Sequence, residues 1–339
     1  MQINLNDDIN YFEVFVLYFK NYAQYTFEQF TNFHWSNPVF WVLIWVTFCL
    51  LMEAFTKKQM VEYPPFKRKG FWLDMFYVIF YDVFFMVLGF YAFTVVVQIA
   101  YTKLLYSFGI EPFMFFSISE IPVVAQIVIL FILQDFVEFW AHYFMHRFDF
   151  LWAIHKIHHA PEHIGATSAR HFHWGEYFIF KPLLYIPFNM IGFTAPQYTY
   201  VVLVVFFFEA FFTHANVRTN FGWFNYIINN PETHYWHHAK NVPRRHGVNF
   251  ASVLNIWDVL IGTYYVPDDK SIRPELGLDD SHEMPQGFIG QFFYPFKYWF
   301  QKKKGTNVYE SSIAFESESN KVKVTKNKNR ANKKTGKVK

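Results

Sequence analysis

One cysteine, 14 glycines and 15 prolines occur in 339 residues, and only 17% of the chain is charged. The lone Cys49 sits in an apolar run, which excludes an intramolecular disulfide and a cysteine-built metal cage and leaves packing as its role. No GxGxxG and no CxxCH occurs, so no nicotinamide, flavin or covalently attached haem is read from motifs. Period-two alternation does not recur, which argues against a strand barrel. Soluble domains carry roughly 25% charge; here the missing charge is replaced by apolar residues, 53% of the chain, including 46 Phe. That balance points to lipid. The N-terminus, MQINLNDDINYFEVF, lacks a basic n-region and is not expected to act as a cleaved signal peptide.

Apolar runs at 37–55, 83–101 (starting as early as Met75) and 121–142 are each near the roughly 20 residues that cross a bilayer. A fourth apolar region, 177–213, is interrupted by Pro182, Pro187 and GFTAP and reads as a helical hairpin. The loop after the first run holds Lys57, Lys58, Lys67, Arg68 and Lys69, so the positive-inside rule puts it in the cytoplasm. Counting onward, the third run ends inside and the hairpin leaves and returns. Residues 302–339 hold 12 Lys/Arg against 3 Asp/Glu and few large apolar residues, a disordered basic tail. Beside membrane spans such a tail marks the cytoplasmic side and touches anionic lipid rather than nucleic acid.

The histidines are concentrated. Fifteen occur, six of them in HKIHHAPEHIGATSARHFH (155–173). In DFVEFWAHYFMHRF, Asp135, Glu138, His142 and His146 are spaced to share one helix face. The two histidines can ligate metal, and Asp135 and Glu138 are expected to orient imidazoles through their free N–H groups. His155, His158 and His159 sit at i, i+3 and i+4 and are expected to share one helix face, and HYWHH repeats that spacing with His234, His237 and His238. His214, after the hairpin, makes nine candidate ligands, with His173 or His246 as a tenth. One metal takes four to six ligands, so the count implies two. All these residues fall on the cytoplasmic side of the expected topology. Imidazole suits zinc, copper, iron and nickel, and iron can also activate O2. His34, His163 and His282 read as bystanders, and His171 as a weaker candidate than His173.

These boxes, in this order, resemble the fatty acid hydroxylase/sterol desaturase superfamily of membrane diiron oxidases over roughly residues 75–267. DFVEFWAHYFMHR resembles the first histidine box with its leading Asp135, LWAIHKIHHAPE the second, and PETHYWHH the third. TSARHFHWGE and NFASVLNIWDVLIGTYYVP are similar to further family segments. Tyr143 follows His142 where an Arg is common, and HANVR carries Arg218 where one branch has a histidine. The resemblance implies two iron ions (Fe2+/Fe3+) held by His142, His146, His155, His158, His159, His214, His234, His237 and His238. It also implies O2 as co-substrate, an external electron donor such as a separate reductase or electron-transfer protein, and hydroxylation or desaturation of a lipid C–H bond. His173 is carried as a possible further ligand and Asn249 as a supporting residue.

The expected fold is all-α: a polytopic membrane helical bundle with a cytosolic helical cap holding a histidine-rich dimetal site. Its parts are an N-terminal interfacial segment (1–36), a first transmembrane helix with its basic loop (37–73), a catalytic domain (74–300) and the basic tail (301–339). The expected host is a bacterial inner membrane, with the endoplasmic reticulum as alternative. Two rival functions remain at this point. A histidine-lined metal-ion transporter would spread its histidines across the membrane, and a haem electron-transfer protein would need only a few paired ones.

Overall fold

The computed structural model describes residues 8–31, 38–63, 65–81, 90–109, 118, 121–176, 211–269, 271–278 and 284–302. Among them the chain is helical, with no named strand and one isolated bridge, Ala239 to Leu276. The elements are α1 (Tyr11–Thr31), α2 (Pro38–Phe55), α3 (Phe71–Ile79), α4 (Phe90–Ser107), α5 (Val123–Arg147), α6 (Asp149–His159), α7 (Pro231–His237), α8 (Ile256–Ile261) and α9 (Phe288–Lys302). Short 3-10 segments lie at Pro65–Lys67, Ala166–Arg170 and Gly222–Tyr226. The hairpin expected at 177–213 falls outside the described residues up to 210, as does most of the basic tail.

Helix α5 organises the site. Its 25 residues span about 37 Å at 1.5 Å per residue, and it is the one helix among the described residues long and apolar enough to cross a membrane. Its polarity is inverted relative to a helix in water. Val124, Val128, Ile132, Phe136 and Phe144 form an exposed apolar stripe, while Gln126, Gln134, Asp135, His142 and His146 are buried. Lipid outside and polar groups inside is the pattern of a membrane helix beside a functional interior. Of the other two expected spans, the apolar stretches Leu43–Phe55 of α2 and Val95–Leu104 of α4 lie among the described residues, and positions 83–89 of the second fall outside them. The segment read as interfacial contains α1, which packs along α4.

Phe148, in extended conformation, separates α5 from α6 and lets α6 fold back onto α5. Every residue from Ala153 to His159 is buried. Helix α7 is short and starts sharply. Asn230 accepts from the Glu232 N–H (3.0 Å), Pro231 occupies the first helical position, and Thr233 Oγ1 accepts from the Asn230 N–H (3.1 Å). This satisfies the first-turn donors of a helix too short to be stable alone. The loop after α7 runs back along α5. Asp135 accepts from the Val253 N–H (2.8 Å), the Leu254 N–H (3.1 Å) and Trp257 Nε1 (2.7 Å). Asp258 accepts from the Phe250 and Ala251 N–H groups and the Thr263 hydroxyl.

The segments after α2 and after His214 are joined on the side where α5 ends. Glu53 Oε1 accepts from the N–H groups of Ala166 (2.6 Å) and Asn216 (2.7 Å). A buried pair, Arg68 and Asp74 at 2.6 Å, ties the basic loop to α3.

Candidate metal centre

The helices bring nine histidines into two adjoining buried groups. His142, His146, His155, His159 and His237 form the first, and His158, His214, His234 and His238 the second; within each, one ligand atom per residue lies within 4.8 Å of the others. Helix geometry explains the division. Residues at i and i+4 are about 40° apart around the axis and residues at i+3 and i+4 about 100°. His142/His146 and His155/His159 therefore enter one group, and His234/His238 the other. The i+3 residues, His158 and His237, cross to the opposite group. Each His-His pair thus joins the two groups, and the His159 and His238 rings stack at 4.4 Å across the divide.

The nitrogen atoms converge as metal ligands do. In the second group Nε2 of His214 lies 3.2 Å from that of His158 and 3.0 Å from that of His234, and the Nε2 atoms of His234 and His238 are 3.1 Å apart. In the first group the Nε2 atoms of His142 and His155 are 3.0 Å apart. With metal–nitrogen bonds of roughly 2.1 Å, ligands at right angles sit about 3.0 Å apart and tetrahedral ones about 3.4 Å. Nε2 of His146, His159 and His237 is buried with no hydrogen-bond partner, an arrangement proteins avoid unless something else occupies the lone pair. Burial holds His158 down to about 3 and pushes His155, His159, His234, His237 and His238 well below their usual range. The imidazoles are therefore neutral at pH 7, the form that binds metal. Neither group contains a carboxylate or thiolate. These donors fit two late first-row ions such as iron or zinc.

Four of the opposite ring nitrogens are held by the chain. Nδ1 of His142 donates to the Phe250 carbonyl (2.8 Å), that of His237 to the Val248 carbonyl (2.8 Å), and that of His158 to the His171 carbonyl (3.1 Å). His155 Nδ1 donates to the buried Glu176 carboxylate (3.1 Å). Such contacts fix the tautomer, aim Nε2 inward and raise ligand basicity, and losing one costs roughly 10- to 100-fold in metal affinity. Glu176→Ala is accordingly expected to weaken metal retention in the first group by about that factor, read by competition with a chelator, while the second group keeps its ion.

Some expected residues lie elsewhere. His173 joins neither group, because its nitrogens are occupied: Nδ1 accepts from the Gly175 N–H (3.0 Å) and Nε2 donates to the Phe292 carbonyl (2.8 Å). Asp135 shares the face of His142 as expected, but it holds the backbone of the 253–257 loop and the Trp257 indole instead of an imidazole. Glu138 accepts from Gln134 Nε2 (3.1 Å). Asn249 sits at φ 56 between the two carbonyls that hold His237 and His142. Its amide donates to the Thr233 and Tyr265 carbonyls (2.8 and 2.7 Å), pinning the loop to α7. Gly247 (φ +98) comes so close to His146 that an added Cβ would stand 3.3 Å from its Nδ1. His246 Nε2 accepts from Arg147 (2.9 Å). His171 bridges Asp74 (2.6 Å) and Gln291 (3.0 Å) while its carbonyl holds His158. Glu176, Asp74 and Gln291 are positioning residues outside the histidine boxes; Glu176 stands in the HWGE segment, whereas the other two lie far from the boxes in sequence.

Comparison with known proteins gives a consistent picture. Residues 127–263 match the family model described as fatty acid hydroxylase. An ornithine lipid hydroxylase of Rhizobium tropici is 29% identical over 175 residues, 52% of this chain and 51% of that protein. Human alkylglycerol monooxygenase is 28% identical over 172 residues, 49% and 36% of the two chains. Methylsterol monooxygenase 1-3 of Arabidopsis thaliana is 30% identical over 160 residues, 46% and 51%. The chain thus spans about half or less of the length of these relatives. No solved structure matches. The matched region contains every residue of both histidine groups, and over it the chain is similar to the fatty acid hydroxylase/sterol desaturase superfamily.

Proposed function

We propose that the chain is a membrane-bound, O2-dependent lipid hydroxylase whose two histidine groups each hold an iron ion. The observation that carries this reading is the pair of converging imidazole cages at the end of a helix with a lipid-facing apolar stripe. Five imidazoles in the first group and four in the second would hold the ions, with no carboxylate or thiolate among them. When bound, the irons supply the oxidising chemistry, drawing on O2 and two electrons from an external donor. The chain's own residues hold and aim the ligands, keep them neutral, and exclude water behind Phe139, Phe250 and Tyr235, all fully buried. The relatives' names, hydroxylase and monooxygenase, favour oxygen insertion over desaturation.

The membrane arrangement is part of the same proposal: a polytopic helical bundle with the iron site in a cytosolic cap, α2 and α5 both ending at the site. The basic loop 57–69 then faces the cytoplasm under the positive-inside rule. A transporter is disfavoured because its histidines would line a path across the membrane, whereas these nine close into two adjoining cages. Bis-histidine haem ligation needs two rings, not nine. Lipidomics of cells with and without the protein tests the reading. The expected result is a lipid class heavier by one oxygen only when the protein is present, with 18O2 label in the product. An unlabelled or unchanged lipid profile would overturn it.

A further inference from the structure

A second concavity lies beside the segments that lead to the histidine groups. It is a pocket of about 880 Å3 between the chain after α2, the chain after His214 and the start of α7. Its lining includes four cations, Lys57, Lys58, Arg218 and Arg273, and two carboxylates, Glu62 and Glu232. Two carboxylates can neutralise at most two of those cations. Whatever pairs form within the wall, the lining keeps two positive charges in excess, which favours an anion.

The pocket is built into the fold. Asn216 Oδ1 accepts from the Met60 and Val61 N–H groups (3.0 and 3.1 Å), its Nδ2 donates to the Val61 carbonyl (2.8 Å), and the Arg218 N–H donates to the Lys58 carbonyl (2.7 Å). These bonds hold the basic loop against the segment that carries His214. The position is also specific. Lys57 and Lys58 follow closely on Phe55, which is 81% exposed, and Phe48, Leu51 and Phe55 give α2 an exposed apolar face ending at the pocket. A chain lying along that face would end in its polar group here.

We propose that this pocket is a headgroup subsite that takes the phosphate or carboxylate of a charged lipid whose chain lies along α2. The proposal rests on the lipid-hydroxylase reading and narrows its substrate class to lipids with an anionic or zwitterionic headgroup. Glu62 and Glu232 limit the negative charge the pocket accepts and offer a partner to an ammonium on the same headgroup. Neutral lipids, which leave the excess positive charge unmatched, are disfavoured.

The test is lipid binding by the purified full chain, followed by native mass spectrometry. The probes are short-chain phosphatidylglycerol, the diacylglycerol with the same chains, and inorganic phosphate. The expected result is a preference of about tenfold or more for phosphatidylglycerol over diacylglycerol, a 1.4 kcal/mol difference. Lys58→Gln/Arg273→Gln should abolish it, and Lys58→Arg/Arg273→Lys should retain it. Comparing variants that all carry the basic tail removes the tail's own attraction for anionic lipid. An unchanged preference in the glutamine variant would overturn the proposal, as would an equal loss in the charge-conserving one. Inorganic phosphate displacing the lipid at equal affinity would assign the pocket to a free anion and overturn it as well. Product formation is scored separately. A selective but inactive wild-type protein would defeat the hydroxylase reading, whereas an active protein without headgroup preference would defeat only the pocket.

Discussion

His237→Ala is expected to empty the first histidine group and to lower product formation by more than about 100-fold. Losing a partner that merely orients a ligand already costs roughly 10- to 100-fold, and the proposed two-iron site takes His237 as a ligand. Its ring centroid lies 4.4 Å from that of His142, 4.8 Å from His146 and 4.6 Å from His159, so it closes the cage on three sides. Its Nδ1 is committed to the Val248 carbonyl, and its Nε2 has no hydrogen-bond partner. Alanine leaves the remaining imidazoles packed around a gap in a buried site. Elemental analysis should show the iron content falling by half, with the second group still loaded, and lipid mass spectrometry should show the loss of product. His158→Ala should give the mirror result. Full metal content and full activity in either variant would refute the two-cage arrangement.

Asp135→Ala is expected to cost about 3 kcal/mol or more of stability, although Asp135 contacts no ligand ring. The carboxylate is fully buried and accepts three hydrogen bonds, from Val253, Leu254 and Trp257. Orphaning a buried donor costs roughly 1–3 kcal/mol; the Val253 bond is buried, and those of Leu254 and Trp257 are part-buried and add less each. The consequence reaches the metal centre because the same loop supplies the Val248 and Phe250 carbonyls that hold His237 and His142. The variant should melt at a lower temperature in detergent and lose metal from the first group faster than the wild type. Asp135→Asn keeps one acceptor oxygen and should fall between the two. An unchanged melting temperature with unchanged metal retention would show that the loop is held by other means.

The histidine boxes were legible because their chemistry repeats at helical spacing. i, i+3, i+4 histidines are local and survive in a helix whatever surrounds it. The same rule, applied to angles rather than to shared faces, also yields the division into two groups, since neighbours such as His158 and His159 point about 100° apart. What the sequence hid was non-local. Asp135 and Glu138 stand at the right spacing to serve the imidazoles, yet Asp135 is taken by backbone N–H groups 118 and 119 residues away. His173 stands in a segment that resembles the family, yet a turn to Gly175 and a bond to α9 hold it outside both cages. The orienting acceptors are mostly backbone carbonyls, at Val248, Phe250 and His171, which no residue type announces. Asn249 was readable as a supporting residue, and its left-handed backbone gives that role a physical form: it places the two carbonyls on either side of it. The span at 121–142 was legible by hydropathy, and α5 adds what hydropathy cannot show, an apolar stripe outside and polar groups inside.

The most direct test of the two-cage account is the metal stoichiometry of the wild-type protein, purified from iron-supplemented cells and assayed for lipid oxidation on the same sample. Two irons per chain in active protein, with activity lost on chelation and restored by ferrous iron, is the predicted result. Full activity with one metal per chain or none would contradict it.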